Sequence, residues 1–229
     1  MQKEPRFIQS KKRYLLAFII GTLIFIMGFS ITYTISIAEF QRISNIQGKL
    51  SYQIFNDKIL YSLFNKNICA ESSFQKISQD LRFQGVIIDD LEKKLGKNDL
   101  EVLFRKKFYT LIELEHLEFV TETNKQCNDS INTLLFFYSN LENDLGKSEK
   151  TGRMLDALFS EYQNNLIIYS FDINLDSELI RELKQKFNIQ SSPILIINQE
   201  TKIINPENIN DITKFLLKVD YNKEIIRLN

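Results

Sequence analysis

The chain has little of what makes tight turns, since its 229 residues include only seven Gly and three Pro. Few turns imply long uninterrupted elements, which favours helices over a many-stranded barrel. The chain also has only two Cys and one His, so a disulfide-rich scaffold is excluded and one bridge at most is available. Basic and acidic residues number 29 each, so the chain lacks the basic excess that nucleic-acid binding requires. We therefore expect no nucleic-acid partner.

One long apolar run stands near the N-terminus. Residues 14–38 contain no charge and consist mostly of Ile, Leu and Phe. As a helix they span roughly 37 Å, enough to cross a hydrocarbon core of about 30 Å. Few basic residues follow the run closely (Arg42 and Lys49), whereas five precede it: Lys3, Arg6, Lys11, Lys12 and Arg13. The positive-inside rule then predicts a single-pass protein of the cell membrane, with a cytoplasmic tail over 1–13 and an extracytoplasmic remainder.

A cleaved signal peptide is the alternative interpretation of this run. Ser36 and Ala38 place small residues at suitable offsets for cleavage. The run is longer than the roughly 7–15 residues of a signal peptide, however, and apolar residues continue a helical spacing beyond it. These residues are Phe40, Ile43, Ile46 and Leu50. We therefore favour a retained anchor.

Residues 39–131 predict a helical stalk that contains an antiparallel hairpin. The first hairpin helix carries a coiled-coil-like seam at three- and four-residue steps: Phe74, Ile77, Leu81, Ile88, Leu91 and Leu95, with Gln84 at the polar step. Gly96 suits the position just past a helix end, and Asn98 or Asp99 suits the next N-cap. The second helix extends to about Asn124 with a predicted inner stripe of leucines: Leu100, Leu103, Leu111, Leu114 and Leu117. So short a turn makes the two helices antiparallel.

The two cysteines flank this hairpin. Cys69 precedes the first helix and Cys127 follows the second, so an antiparallel pair brings both to the same end. Outside the cytoplasm, a disulfide between them is the favoured interpretation. Two separate buried thiols are the alternative.

The single histidine, His116, lies off the predicted leucine stripe of the second helix. Carboxylates surround it in the sequence at Glu113, Glu115 and Glu118. We interpret the group as a solvated polar face. No second histidine and no cysteine at metal spacing accompany it, so neither a metal site nor another cofactor is expected.

The pattern changes after residue 131 to alternating strands and helices. Compact apolar runs predict strands at 133–139, 166–171, 193–197 and 202–204. Amphipathic spacing predicts helices at 147–162 and 176–187, and Pro206 opens a last helix. Residues 132–229 therefore form a predicted α/β domain with the order β-α-β-α-β-β-α.

Three segments carry a resemblance to the thioredoxin fold over about 132–218. They are FFYS in the first strand, YSFDINLDSELIRELKQKFNI in the second strand and helix, and SSPILIIN, which resembles the segment that begins at the family's cis-proline. The resemblance implies that Pro193 follows a cis peptide bond. The whole layout resembles that of membrane-anchored thioredoxin-like proteins with a helical hairpin between anchor and domain.

The catalytic motif of that family is missing from this chain. If Gly152 matches the glycine after the family's C-x-x-C motif, the two cysteine positions fall at Leu145 and Ser148. Thiol–disulfide exchange needs a thiolate and a second, resolving thiol, and neither residue supplies one. A serine hydroxyl without a neighbouring base does not replace a thiolate, and we expect Ser148 to cap the helix.

What the resemblance still implies is binding. The backbone at Ser191, Ser192 and Pro193, with the loop over 140–148, would pair with an extended segment of a partner protein. A proline that only preserves the fold is the alternative. We therefore expect a non-enzymatic, membrane-tethered binding or scaffold module. The alternatives are a thiol–disulfide oxidoreductase that uses Cys69 and Cys127, and a structural homo-oligomer in which the stalk's leucine seam pairs between chains.

Overall fold

The computed structural model describes residues 11–64, 72–127, 131–162 and 165–216. This part of the chain is α/β, with mostly helical content and one small mixed sheet. Its elements are α1 (Lys11–Phe64), α2 (Ser72–Leu95), α3 (Leu100–Cys127), β1 (Asn132–Tyr138), α4 (Glu142–Tyr162), β2 (Leu166–Asp172), α5 (Glu178–Lys186), β3 (Ile194–Ile197), β4 (Thr201–Ile204) and α6 (Asn210–Thr213). The chain divides into two compact units, Met1–Ile46 and Gln47–Asn229.

The first unit contains the apolar part of α1. The segment Arg13–Ala38 has a mean hydropathy of 2.4 and no buried residue, and among the described residues it alone is long and apolar enough to cross a membrane. Its hydroxyl groups bond to the helix's own carbonyls, as at Thr22 to Phe18 (2.9 Å) and Ser30 to Ile26 (2.8 Å). Such bonding suits apolar surroundings, where no water would satisfy a hydroxyl. The segment fits a membrane span or a signal sequence.

The hairpin of α2 and α3 has the predicted turn and direction. Gly96 adopts a positive φ of 96° just past α2, and the Asp99 carboxylate accepts a hydrogen bond from the Glu101 amide at 2.9 Å. Cross-helix contacts join Ser78 to His116 and Glu92 to Lys106. Residues later in α2 thus contact residues earlier in α3, so the two helices are antiparallel.

The predicted leucine stripe of α3 is wrong at two positions. Leu100 is 84% exposed and Leu111 is 40% exposed. Leu117 of the predicted stripe is buried, and the other buried apolar residues of α3 are Val102, Tyr109, Ile112, Phe119 and Val120. The reason is that α3 packs against both α2 and β2, so it buries a broad arc that includes polar residues rather than one narrow seam. On α2, the seam residues Ile77, Leu81, Gln84 and Ile88 are buried as predicted, whereas Leu91 is half-buried and Leu95 is 52% exposed.

The sheet has the strand order β2-β1-β3-β4. Strands β1 and β2 are parallel with Asn132 opposite Leu166, while β3 is antiparallel to both β1 and β4. All four residues of β3 are buried, as are the first six of β1. Long apolar runs in these two central strands follow from coverage of both faces. The elements follow the predicted order, although α4 begins at Glu142, before the predicted position 147.

Two hydrophobic clusters cover the two faces of the sheet. One combines Leu134 and Leu195 with residues of α4 and α6, including Leu158 and Ile212. The other joins the opposite face to the hairpin, α5 and the later part of α1: Ile54, Ile77, Leu81, Ile88, Tyr109, Ile112, Val120, Leu135, Phe137, Tyr169, Ile180 and Ile196 among others. The hairpin therefore shares its hydrophobic core with the sheet, and the boundary expected between 131 and 132 falls within one compact unit.

Candidate functional site

A buried group of charges lies at the carboxyl ends of the parallel strands β1 and β2. The Lys106 ammonium on α3 lies 2.5 Å from Asp172 Oδ2 and 2.7 Å from Glu92 Oε1. The Asn140 side chain donates to the same two carboxylate oxygens at 3.2 and 3.3 Å. The Lys106 ammonium also lies 5.4 Å from the centre of the Tyr138 ring. Three elements of the fold and the β1–α4 loop thus converge on one ammonium group.

The electrostatics of this group keep Lys106 charged. Burial by itself lowers the pKa of Lys106, but neighbouring Tyr138 and Asp172 and the hydrogen bonds to Asp172 and Glu92 outweigh it. The pKa is therefore raised above the ordinary lysine value. Two carboxylates share this one ammonium, so the group carries one excess negative charge.

A chain of hydrogen bonds fixes the loop after β1. The Asn174 amide N–H donates to Asp172 Oδ1 at 3.0 Å, and its side chain donates to Ser139 Oγ at 2.7 Å. The Ser139 amide donates in turn to Ser148 Oγ at 3.2 Å. The expectation that Ser148 caps α4 is wrong, because α4 begins earlier and places Glu142 and Asp144 in its first turn. Ser148 instead lies buried inside the helix and holds the loop.

Leu145 and Ser148, the positions of the missing cysteines in the thioredoxin resemblance, line a cavity of about 550 Å³. The cavity lies between α2, α3, α4 and β2, and the Lys106 group forms part of its wall. Arg82 of α2 pairs with Asp156 of α4 at 3.2 Å, and its guanidinium lies 3.8 Å from the centre of the Phe159 ring. Apolar side chains supply much of the remaining wall: Leu81, Val86, Ile88, Phe136, Leu155, Leu166 and Ile168.

The interpretation of His116 and Glu113 as solvated is wrong, because both side chains are completely buried. His116 Nδ1 lies 2.9 Å from the Tyr169 hydroxyl and its Nε2 lies 3.5 Å from Ser78 Oγ. Burial lowers the pKa of His116 to about 3. Burial also raises the pKa of Glu113 well above its ordinary value, although hydrogen bonds from the Ser170 amide and the Tyr109 hydroxyl oppose the shift.

A signal for this cluster was present in the sequence. Tyr109, Glu113, His116 and Val120 recur at steps of four, three and four, which places them on one helix face. The prediction used the leucines of α3, which lie on a neighbouring face of the helix. Of the other two acidic residues, Glu118 is exposed and Glu115 half-buried.

The predicted partner-binding segment lies elsewhere on the sheet. The Ser192–Pro193 peptide bond is cis, as expected. Ser191 is exposed, Pro193 is buried, and the buried Ser192 Oγ has no hydrogen-bond partner in the part of the chain that the structure describes. The pairing of Phe137 with Ile194 brings this segment to the carboxyl end of β1, beside the β1–α4 loop. None of the three residues lines the cavity, which lies on the β2 side.

The proposed disulfide falls outside the described residues. Cys69 lies in the undescribed segment 65–71, and of Cys127 only the backbone is described, as the last residue of α3. The disulfide therefore stays a prediction. Within the described ranges, no three His, Cys, Asp or Glu side chains come together as metal ligands.

Comparison of the sequence with models of known protein families and with curated proteins finds no match.

Proposed function

We propose that this protein is a non-catalytic, membrane-anchored binding module built on a thioredoxin-like domain. One observation carries the proposal: Leu145 and Ser148 stand at the two cysteine positions and line a cavity. A site that keeps its cavity but has no thiol is suited to binding and not to thiol exchange.

Two features support the thioredoxin-like assignment. The elements from β1 to α6 follow the order that the resemblance implies. Pro193 follows a cis peptide bond, which is rare among X–Pro bonds in folded proteins.

Two features support binding. The cavity volume of about 550 Å³ falls within the range of roughly 300–1,000 Å³ that ligand sites occupy. At the cis-proline segment, Ser191 is exposed, so an extended segment of a partner protein could reach the chain there.

The anchor in this proposal is Arg13–Ala38, with the N-terminus in the cytoplasm and the compact unit from Gln47 onward outside. Single cysteines introduced at Ser10 and Lys202 would report the orientation through labelling by a membrane-impermeant maleimide in intact cells, in a chain with Cys69 and Cys127 replaced by Ser. Labelling of the Lys202 position alone is the expected result. Labelling at the Ser10 position, or release of the chain from membranes by an alkaline wash, contradicts it.

Crosslinking and affinity capture of the full-length chain from native membranes test the function. We expect capture of a specific partner that survives replacement of both cysteines by Ser, and no disulfide reduction of insulin by the chain in detergent micelles. Insulin reduction that disappears in Cys127→Ser would favour the oxidoreductase alternative and contradict our proposal. Failure to capture any partner, by the wild-type chain or by variants, would also contradict it.

A homo-oligomer is the second candidate, and the exposed face of α3 favours it. Leu100 (84% exposed), Phe104 (66%) and Leu111 (40%) recur at four- and seven-residue steps, as in a coiled-coil seam. Light scattering of the full chain in detergent micelles measures the mass of the assembly. A dimer that Leu111→Lys dissociates supports this candidate, and a monomeric wild-type chain excludes it.

A further inference from the structure

Strand β2 forms one edge of the sheet, so half of its backbone groups point away from β1. The Ile173 amide donates to the Tyr138 carbonyl at 2.9 Å, which fixes the alternation along the strand. Residues 167, 169 and 171 therefore face β1 with their N–H and C=O groups. Leu166, Ile168, Ser170 and Asp172 present theirs to the open edge, and all four line the cavity beside α4.

Only part of this edge is covered. The Ser170 N–H donates to Glu113 Oε1 of α3 at 2.7 Å, so one outward group is satisfied by a side chain. Among the described residues, nothing accepts a hydrogen bond from the outward N–H of Ile168. An uncovered strand edge pairs readily with an extended segment of another chain. Here the edge lies within a cavity between two helices, which would restrict the segments that reach it.

The end of the cavity near Asp172 has a defined charge preference. Glu92 and Asp172 share the single ammonium of Lys106 and leave one excess negative charge. The other charged residues of the wall are in pairs, such as Arg82 with Asp156 and Lys93 with Asp89. A positively charged side chain of a partner would neutralise this excess charge. The Glu113 carboxylate occupies the edge at Ser170, so an added segment would pair at Ile168 and cross the remaining distance of about 13 Å to Asp172 without bonding to Ser170.

We propose that this cavity receives an extended peptide segment of a partner protein. The segment adds a strand to the edge of β2 at Ile168 and places a lysine or arginine beside Glu92 and Asp172. This inference rests on the proposed binding function and names the partner's chemistry. The surface it uses is separated from the cis-proline segment by β1.

Fluorescence anisotropy of the full chain in detergent micelles tests the proposal with three labelled heptapeptides. The first alternates Thr and Val around a central Lys, and the second has Glu in place of Lys. The third repeats the first with N-methyl groups on the amides that point toward β2 when the Lys lies beside Glu92 and Asp172. We expect the first to bind, the second to bind at least about fivefold more weakly, and the third not to bind because its edge toward β2 is blocked.

A proline at the edge separates strand pairing from other contacts. Ile168→Pro removes an outward N–H and leaves the bonds to β1 in place, a position at which edge strands tolerate proline. We expect it to weaken binding of the lysine peptide about tenfold. The matched control is Ile204→Pro on β4, the opposite edge of the sheet. There the Asn205 N–H donates to the Pro193 carbonyl, so the N–H of the preceding Ile204 points outward.

A second variant decides the case if Ile168→Pro does not fold, as judged by circular dichroism. Val86→Trp fills the cavity from α2, where Val86 is 58% exposed and lines the cavity wall. Its control is Phe83→Trp, at a position on the same helix that is 48% exposed and outside the cavity. We expect the first to reduce peptide affinity at least about tenfold and the second to leave it unchanged.

The remaining outcomes overturn the proposal. These are no binding by any peptide, equal binding of the lysine and N-methylated peptides, or equal effects of each variant and its control. Binding of a small molecule alone, or occupation of the cavity by residues 65–71 of the same chain, also overturns it. Capture of a native partner equally by wild type and Ile168→Pro overturns this inference but leaves the proposed function standing, whereas failure of the wild type to capture any partner overturns the function itself.

Discussion

Helix α3 carries two buried polar groups that meet the cost of burial in opposite ways. Near its start, Lys106 stays charged because Glu92 and Asp172 lie within 2.7 Å of its ammonium. Two turns later, burial shifts the pKa values of Glu113 and His116 toward their neutral forms. One helix thus shows that pairing preserves one buried charge, and that burial moves the proton equilibrium of two other groups.

The largest expected effect comes from removal of the ammonium. Lys106→Met leaves two buried carboxylates without their shared partner, and we expect a loss of about 3–5 kcal/mol in the free energy of unfolding. Urea denaturation of the full chain in detergent measures it. The control is Lys107→Met at the exposed neighbouring position, for which we expect a change within about 0.5 kcal/mol. Similar losses in the two variants would show that pairing does not govern Lys106.

Because burial favours the neutral form of His116, we expect the free energy of unfolding to fall in acid. His116 has a native pKa of about 3 against an unfolded value near 6.5, so below about pH 6.5 the unfolded state binds the additional proton. Stability then falls by up to about 1.4 kcal/mol per pH unit as the pH drops toward 3. Thermal unfolding of wild type and His116→Gln between pH 7 and 4.5 checks this, and parallel pH profiles would contradict it.

Glu113 predicts an effect of opposite sign on the pH dependence of stability. Its raised native pKa keeps it protonated at pH values where the unfolded side chain, with a pKa near 4.3, is ionised. Stability contributed by this group is therefore lost as the pH rises above about 4.3 toward the raised native pKa. Glu113→Gln removes the loss, while Glu118→Gln on the exposed face retains it. If the pH dependence of stability is unchanged in Glu113→Gln, a group other than Glu113 causes the loss.

The smallest effect concerns the pair that bridges α2 and α4. Arg82 and Asp156 have side chains that are 41% and 73% exposed, so the pair contributes at most about 1 kcal/mol. A double-mutant cycle with Arg82→Ala and Asp156→Ala measures the coupling. High salt should reduce it further. A coupling above about 2 kcal/mol would mean that this pair behaves like the buried group around Lys106.

The strands could be predicted because the buried ones are continuous runs of apolar residues. The apolar run from Leu134 to Phe137 is covered on both faces, so no periodicity had to be interpreted. The inner face of α3 could not be predicted from leucine spacing, because Glu113 and His116 are buried through partners on β2 that helical periodicity does not specify. The cavity depends on how α2 meets α4, and Arg82 reaches Asp156 across 74 positions of sequence.

The last consequence concerns where the folded unit begins. Gln47 accepts a hydrogen bond from Arg105 at 3.4 Å, and Ile54 belongs to the core that also contains the sheet. Both residues lie in α1 but after Ala38, the end of the apolar span. A protease that cut the chain at Ala38 would leave every residue of this core in the released product. Removal of the apolar span at this point would therefore leave the interior of the folded unit complete, whereas a fragment that starts after Phe64 would lack Ile54 of that interior.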